Sequence, residues 1–132
     1  MLKISEATAI ALHSMIYISN QNDEFVSIKP IAEQFKISEH HLSKVLQRLV
    51  KAGFLESTKG PKGGFKISPD KKDTTFAEIY EVIEGKIEHS ACLFPSKISN
   101  CSNCIMGDFL KKANKDFFNN MKSKKISDFK KE

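Results

Sequence analysis

Residues 26–69 read VSIKPIAEQFKISEHHLSKVLQRLVKAGFLESTKGPKGGFKISP, and their punctuation divides them into two short helices and a hairpin. Ser27 is a good N-cap, and Pro30 falls in the first turn, where its missing N–H has no partner to lose. With Ile31, Ala32 and Phe35 as an inner face, a helix over 28–35 is expected. Lys36-Ile37 then makes a tight connection to a second N-cap, Ser38. Beyond it Leu42, Val45, Leu46 and Leu49 form one stripe that stops before Gly53, which predicts a helix over 39–51. Its opposite face displays His40, Ser43, Lys44, Gln47, Arg48 and Lys51. Residues 54–58 and 65–68 read as strands, joined by Lys59-Gly60-Pro61-Lys62-Gly63-Gly64 and closed by Pro69.

This stretch is also where the charge collects. Residues 27–72 hold nine Lys and Arg48 against Glu33, Glu39, Glu56 and Asp70, a net +6 in a chain whose total is +5. The other zones sum to −2 over residues 1–26, −4 over 73–91 and +5 over 92–132. An anionic polymer is a plausible partner for such a surface, although net charge alone does not separate nucleic acid from a membrane.

Outward from this stretch the chain reads as mainly helical. Ile4, Ala7, Ala11, Met15 and Ile18 predict a first helix over about 3–19, followed by the turn formers Asn20-Gln21-Asn22-Asp23. Thr75 and Glu78 make a capping box for a fourth helix carrying Phe76, Ile79, Tyr80 and Ile83 and stopped by Gly85. Residues 86–101 have no clear period and contain Pro95, which suggests a loop. Ile105, Phe109, Ala113, Phe117 and Met121 then predict a long amphipathic helix that needs a partner surface. The basic tail from Lys122 to Glu132 is expected to fray. At 132 residues the chain is one compact domain with an appended helix. The organisation expected is residues 1–85 as a DNA-binding unit, 86–104 as a cysteine-containing loop and 105–132 as a helix with a basic tail.

No secretory signal or membrane-spanning run is read, so the chain is taken as cytoplasmic. Three cysteines in that reducing compartment point to metal or redox chemistry rather than disulfides. No catalytic constellation is present: there is no Ser/His/Asp set, no Walker loop and no paired acids in a recognisable context. An enzyme is not expected.

Two helices with a tight turn suit DNA, because the first braces the second and the second's polar face fits the major groove. Gln47 can pair with adenine and Arg48 with guanine or phosphate, while Ser38 and the helix N-terminus suit a phosphate. A polar helix face is ordinarily just solvated, and a glycine-rich loop is ordinarily just a turn. Their succession, with a charge surplus and with Lys59 and Lys62 at the hairpin tip, is what favours a winged helix-turn-helix that grips a phosphate backbone.

The run HHLSKVLQRLVKAGFLESTKGPKGGFKIS, with IKPIAEQFKIS upstream and TTFAEIYEVIEG downstream, resembles the Rrf2 family of bacterial winged-helix transcription regulators. The likeness covers nearly the whole chain, and its leucine-rich recognition helix followed by a Gly-Pro-x-Gly-Gly wing is specific. It implies a homodimer bound to a palindromic operator in double-stranded DNA, with long last helices crossing between subunits. The operator-facing set it implies is Ser38, His40, His41, Ser43, Lys44 and Arg48, with Lys62, Gly63 and Gly64 in the wing; Ser27, at the start of the bracing helix, is a further candidate DNA contact. Ile105, Phe109, Ala113, Phe117 and Met121 would line the dimer interface. Lys36 departs from the glycine common in the turn, and Ser43 stands where iron–sulfur members carry an acidic residue, so operator sequence does not transfer from them.

Cys92, Cys101 and Cys104 are spaced C-x8-C-x2-C, and grouped thiolates can ligate iron or zinc. The resemblance implies an iron–sulfur cluster, [2Fe-2S] or [4Fe-4S], in this region. The fourth ligand is open: one branch of the family uses a histidine at the position of Gly107, another an aspartate near Ala9, and this chain offers Asp108, His89 or Glu6 instead. The alternatives are unligated thiols, a redox pair or zinc. His13 and the Phe-rich last helix read more simply as packing than as ligand sites. Rival readings of the whole chain are a winged-helix protein–protein module without metal and a thiol or metal-binding protein.

Overall fold

In a computed structural model, residues 4–87, 105–106 and 108–130 are described. The segment carrying Cys92, Cys101 and Cys104, with His89 and Gly107, lies outside the described residues. Among the described residues the regular structure is five α-helices and one two-stranded antiparallel hairpin: α1 Glu6–Ser19, α2 Ile28–Phe35, α3 Glu39–Lys51, β1 Leu55–Thr58, β2 Gly64–Ile67, α4 Phe76–Glu84 and α5 Phe109–Ser123. Single 3-10 turns at Pro69–Lys71 and Ile126–Phe129 follow β2 and α5. The expected mainly helical winged helix-turn-helix is the fold observed.

Local chemistry sets the boundaries. Ser5, not residue 3, starts α1, because its hydroxyl accepts the amide of Thr8 at 3.2 Å. Ser38 accepts His41 N at 3.0 Å to open α3. At α4 the capping box forms as expected, with Thr75 N donating to Glu78 Oε2 at 2.9 Å and Glu78 N to Thr75 Oγ1 at 3.2 Å. Lys36 ends α2 in the left-handed region, φ +55°, a conformation that costs a non-glycine residue about 1 kcal/mol. That is the physical reason glycine is common at this turn.

One apolar core joins all the helices except α5. Ile10, Ala11, Met15 and Ile18 of α1 meet Ile31 and Ala32 of α2, Leu42, Val45, Leu46 and Leu49 of α3, Leu55, Phe65 and Ile67 of the hairpin, and Ile79 and Ile83 of α4. Leu42, Leu46 and Leu49 have no exposed surface, and each such burial is worth about 1.5–3 kcal/mol. An acidic residue at Leu46 would break the packing of α3.

The C-terminal part departs from expectation in two ways. The last helix starts at Phe109 rather than 105, with residues 105–106 in a turn. The tail does not fray: Ile126 is fully buried in the main core, Phe76 N donates to Lys124 O at 2.8 Å, and Phe129 stacks on Phe76 with ring centroids 5.5 Å apart. A polar, lysine-rich composition concealed Ile126 as an anchor.

Candidate nucleic-acid interface

An exposed polar row is built by α3. With Leu42, Val45, Leu46 and Leu49 inward, His40, Lys44, Gln47 and Lys51 fall at i, i+4, i+7 and i+11 along the opposite side, and all four are exposed. Ser43 flanks this row and is half-buried. His41 lies on the other flank, also half-buried. Among the described residues the side chains of His40, Lys44 and Gln47 are held by no hydrogen bond or ion pair, so their donors and acceptors face solvent. Lys51 shares the row, although it was not among the operator-facing residues expected.

Arg48 is exposed on the flank of this row, and its guanidinium reaches to α4: Nη2 donates to Ile83 O at 2.7 Å and Val82 O at 3.3 Å, at the C-terminal end of that helix. The helical register puts it on the flank where α4 packs, and four unsatisfied carbonyls at a helix end attract a cation.

Ser27 is exposed at the start of α2 and makes no capping bond. The cause is Pro30, which occupies the position whose amide the serine would cap and has no N–H to give. The hydroxyl and the first amides of α2 therefore remain available to an oxygen ligand. Ser38, by contrast, uses its oxygen as a cap acceptor.

The wing is a three-part structure. β1 and β2 pair antiparallel with Glu56 opposite Lys66 and Thr58 opposite Gly64. Val26 adds an isolated bridge, its N donating to Phe65 O at 2.7 Å and its O accepting from Phe65 N at 2.8 Å. This bridge explains Gly64: a Cβ there would lie 2.2 Å from Val26 O. Gly63 N donates to Gly60 O at 2.8 Å in the turn, and a Cβ on Gly63 would lie 2.5 Å from Thr58 O. Both glycines thus serve the wing's own backbone. Lys59 and Lys62 are exposed at its tip, where no side-chain bond holds them among the described residues.

Of the five residues expected at a dimer interface, Ile105 and Phe109 are exposed, at 90% and 64%. Ala113 is half-buried. Phe117 meets Tyr80 edge-on at 5.3 Å, and Met121 is buried against Ala77 and Tyr80. Met121 therefore packs within the chain itself, because α5 folds back along α4.

Of the candidate fourth ligands, Asp108 and Glu6 are described and both are exposed. Asp108 precedes α5 without making a side-chain cap bond. Among the described residues no three His, Cys, Asp or Glu side chains are grouped to hold a metal ion. Nor does any helix there have the length and apolarity to cross a membrane.

A braced helix with a free polar row, followed by a glycine-shaped wing carrying lysines, defines a winged helix-turn-helix transcriptional regulator. The chain belongs to the Rrf2 family, described as iron-dependent transcriptional regulators, whose pattern matches residues 4–132. It is 32% identical over 120 residues to an HTH-type transcriptional regulator of Aquifex aeolicus, covering 86% of this chain and 83% of that one. It is 30% identical over 97 residues to the HTH-type transcriptional regulator NsrR of Bacillus subtilis, covering 73% and 66%. Among solved structures it resembles CymR, the global cysteine regulator of B. subtilis, with a TM-score of 0.80, 25% identity and coverage of 97% and 95%. IscR of T. potens shares the fold, with a TM-score of 0.71, 23% identity and coverage of 96% and 85%. These relatives are regulators, and the chain is not an enzyme.

Proposed function

We propose that this chain is a cytoplasmic, homodimeric regulator that binds palindromic double-stranded DNA in a sequence-specific way, with its affinity set by the state of the Cys92/Cys101/Cys104 segment. The observation that carries the DNA reading is the unspent row His40, Lys44, Gln47 and Lys51 on α3, beside Lys59 and Lys62 on the wing. In this reading Gln47 and Ser43 contact base edges, and Lys44, Lys51, Lys59 and Lys62 neutralise phosphates, with Ser27 and the start of α2 on a further phosphate. Gly63 and Gly64 shape the wing that carries the lysines. A second copy covers the apolar end of α5 through Ile105 and Phe109.

The regulatory half rests on chemistry. Three thiols within thirteen residues suit soft metals, and an iron–sulfur cluster held by Cys92, Cys101 and Cys104 would supply a redox- and ligand-sensitive charge at that point. Asp108 is the fourth donor nearest in sequence and is sterically open. Thiol oxidation without metal is the second reading, favoured by the close Cys101/Cys104 pair.

Two measurements test this. Affinity for duplex DNA across a salt series should fall with a log–log slope of about −0.9 per phosphate neutralised, and indifference to both salt and sequence would sink the DNA reading. Anaerobic purification with visible absorption and iron, sulfide and zinc analysis tests the cluster. Colourless, metal-free protein with the same DNA affinity before and after thiol oxidation would remove both regulatory readings.

A further inference from the structure

The last turn of α4 is held from two sides. Arg48, near the end of α3, donates to Ile83 O and Val82 O. Helix α4 has no basic residue of its own in that turn, and the chain leaves it at Gly85 with φ +89°. A guanidinium here satisfies carbonyls that the helix leaves open and opposes the negative end of its dipole. Glu84, the last residue of the same turn, reaches the opposite way: its Oε1 accepts Ser5 N at 3.2 Å, Thr8 Oγ1 at 2.7 Å and the hydroxyl of Ser5. That carboxylate sits on the positive end of α1, which itself packs against α3.

The three helices are already joined by the apolar core, which is non-directional and tolerates small rotations. Charged hydrogen bonds to fixed backbone atoms do not tolerate them. We infer that Arg48 is a positioning residue of the DNA interface: with Glu84 it fixes the rotation at which α3 presents His40, Lys44, Gln47 and Lys51, and it does not itself touch DNA. This rests on the DNA reading of α3.

Salt dependence separates positioning from contact. The probes are a duplex that the full chain enriches from a randomised pool and a scrambled duplex of the same length. Arg48→Ala is expected to weaken the enriched duplex about tenfold, the size of one lost charged hydrogen bond, with the salt slope unchanged. Glu84→Ala is expected to lower the ratio of specific to scrambled affinity in the same direction, although an anionic side chain cannot be a phosphate contact. The inference is overturned if Arg48→Ala makes the slope shallower by about 0.9, which marks a phosphate contact. It is equally overturned if preference is lost at a single base pair, or if the ratio is undiminished in either variant. Where Arg48→Ala fails to unfold cooperatively, Glu84→Ala decides alone. A wild-type chain that enriches no sequence refutes the DNA reading itself, before any variant is made.

Discussion

The amide of Ile126 donates to the carbonyl of Thr74 at 3.0 Å, and the Ile126 side chain is wholly buried in the winged-helix core. The segment after α5 is thereby a structural part of the DNA-binding unit. Ile126→Ala is expected to cost about 2–4 kcal/mol of stability, as for other large-to-small core changes. Denaturant unfolding measures it. A loss under about 0.5 kcal/mol, typical of a surface site, would mean that the tail is not docked.

Gly64→Ala is expected to damage the wing without removing any charge. The added methyl meets Val26 O, which must move and open the Val26–Phe65 bridge. Stability and DNA affinity should fall together, as read by thermal unfolding and fluorescence anisotropy. Gly60→Ala has open space but a φ of +104°, so its expected cost is smaller, about 1 kcal/mol of backbone strain.

Lys59→Ala and Lys62→Ala should weaken all duplexes alike, each reducing the steepness of the salt slope by about 0.9. Gln47→Ala should leave that slope alone and relax preference at one base pair, by about 1–3 kcal/mol of discrimination. A reversed pattern, with Gln47 changing the slope and the lysines changing base preference, would show that the interface is assigned the wrong way round.

Asp23 makes an acid-sensitive contact. The Lys72 ammonium, hydrogen-bonded to Asp23 Oδ2 at 3.2 Å and 3.0 Å from Oδ1, holds the Asp23 carboxyl below its ordinary value, and the charges of Lys130 and Lys66 add to this. A folded-state pKa below the unfolded one contributes stability that is present above the unfolded value and lost as pH falls through the folded one. Asp23→Asn should therefore be slightly less stable than wild type at neutral pH, with the gap closing on acidification. The pair is exposed, so the effect is small. Unfolding midpoints at pH 7 and pH 3 check it, and an equal gap at both would contradict the assignment.

Phe109→Asp places a charge on the exposed apolar end of α5. If a second copy covers this surface, sedimentation should show conversion to a monomer, with loss of operator binding and little change in unfolding. A variant that stays dimeric would put the interface elsewhere.

Much of this was legible in the sequence because the signals were local. Ser38, the Leu42/Leu46/Leu49 stripe and the Thr75/Glu78 box act within one or two turns, so helices α2, α3 and α4 followed directly from spacing. What stayed hidden depended on distant partners. Nothing near Arg48 in sequence shows that α4 ends beside it. Glu84 lies 79 residues from Ser5, and no spacing rule connects them. Ile126 sits in a polar, basic tail, and only the docking of that tail on the winged-helix core buries it, while the return of α5 along α4 buries Met121. Gly64 was visible as a glycine, but its reason, the carbonyl of Val26, belongs to a bridge that periodicity does not reveal.

The central claim is that α3 and the wing read DNA, and selection from a randomised duplex pool tests it most directly. The expected result is enrichment of a palindrome whose half-site centres lie about one helical turn, roughly 10 base pairs, or a multiple of it apart. Gln47→Ala should then change the enriched bases at symmetric positions. A pool that remains unenriched after repeated rounds, with binding indifferent to salt, would contradict it.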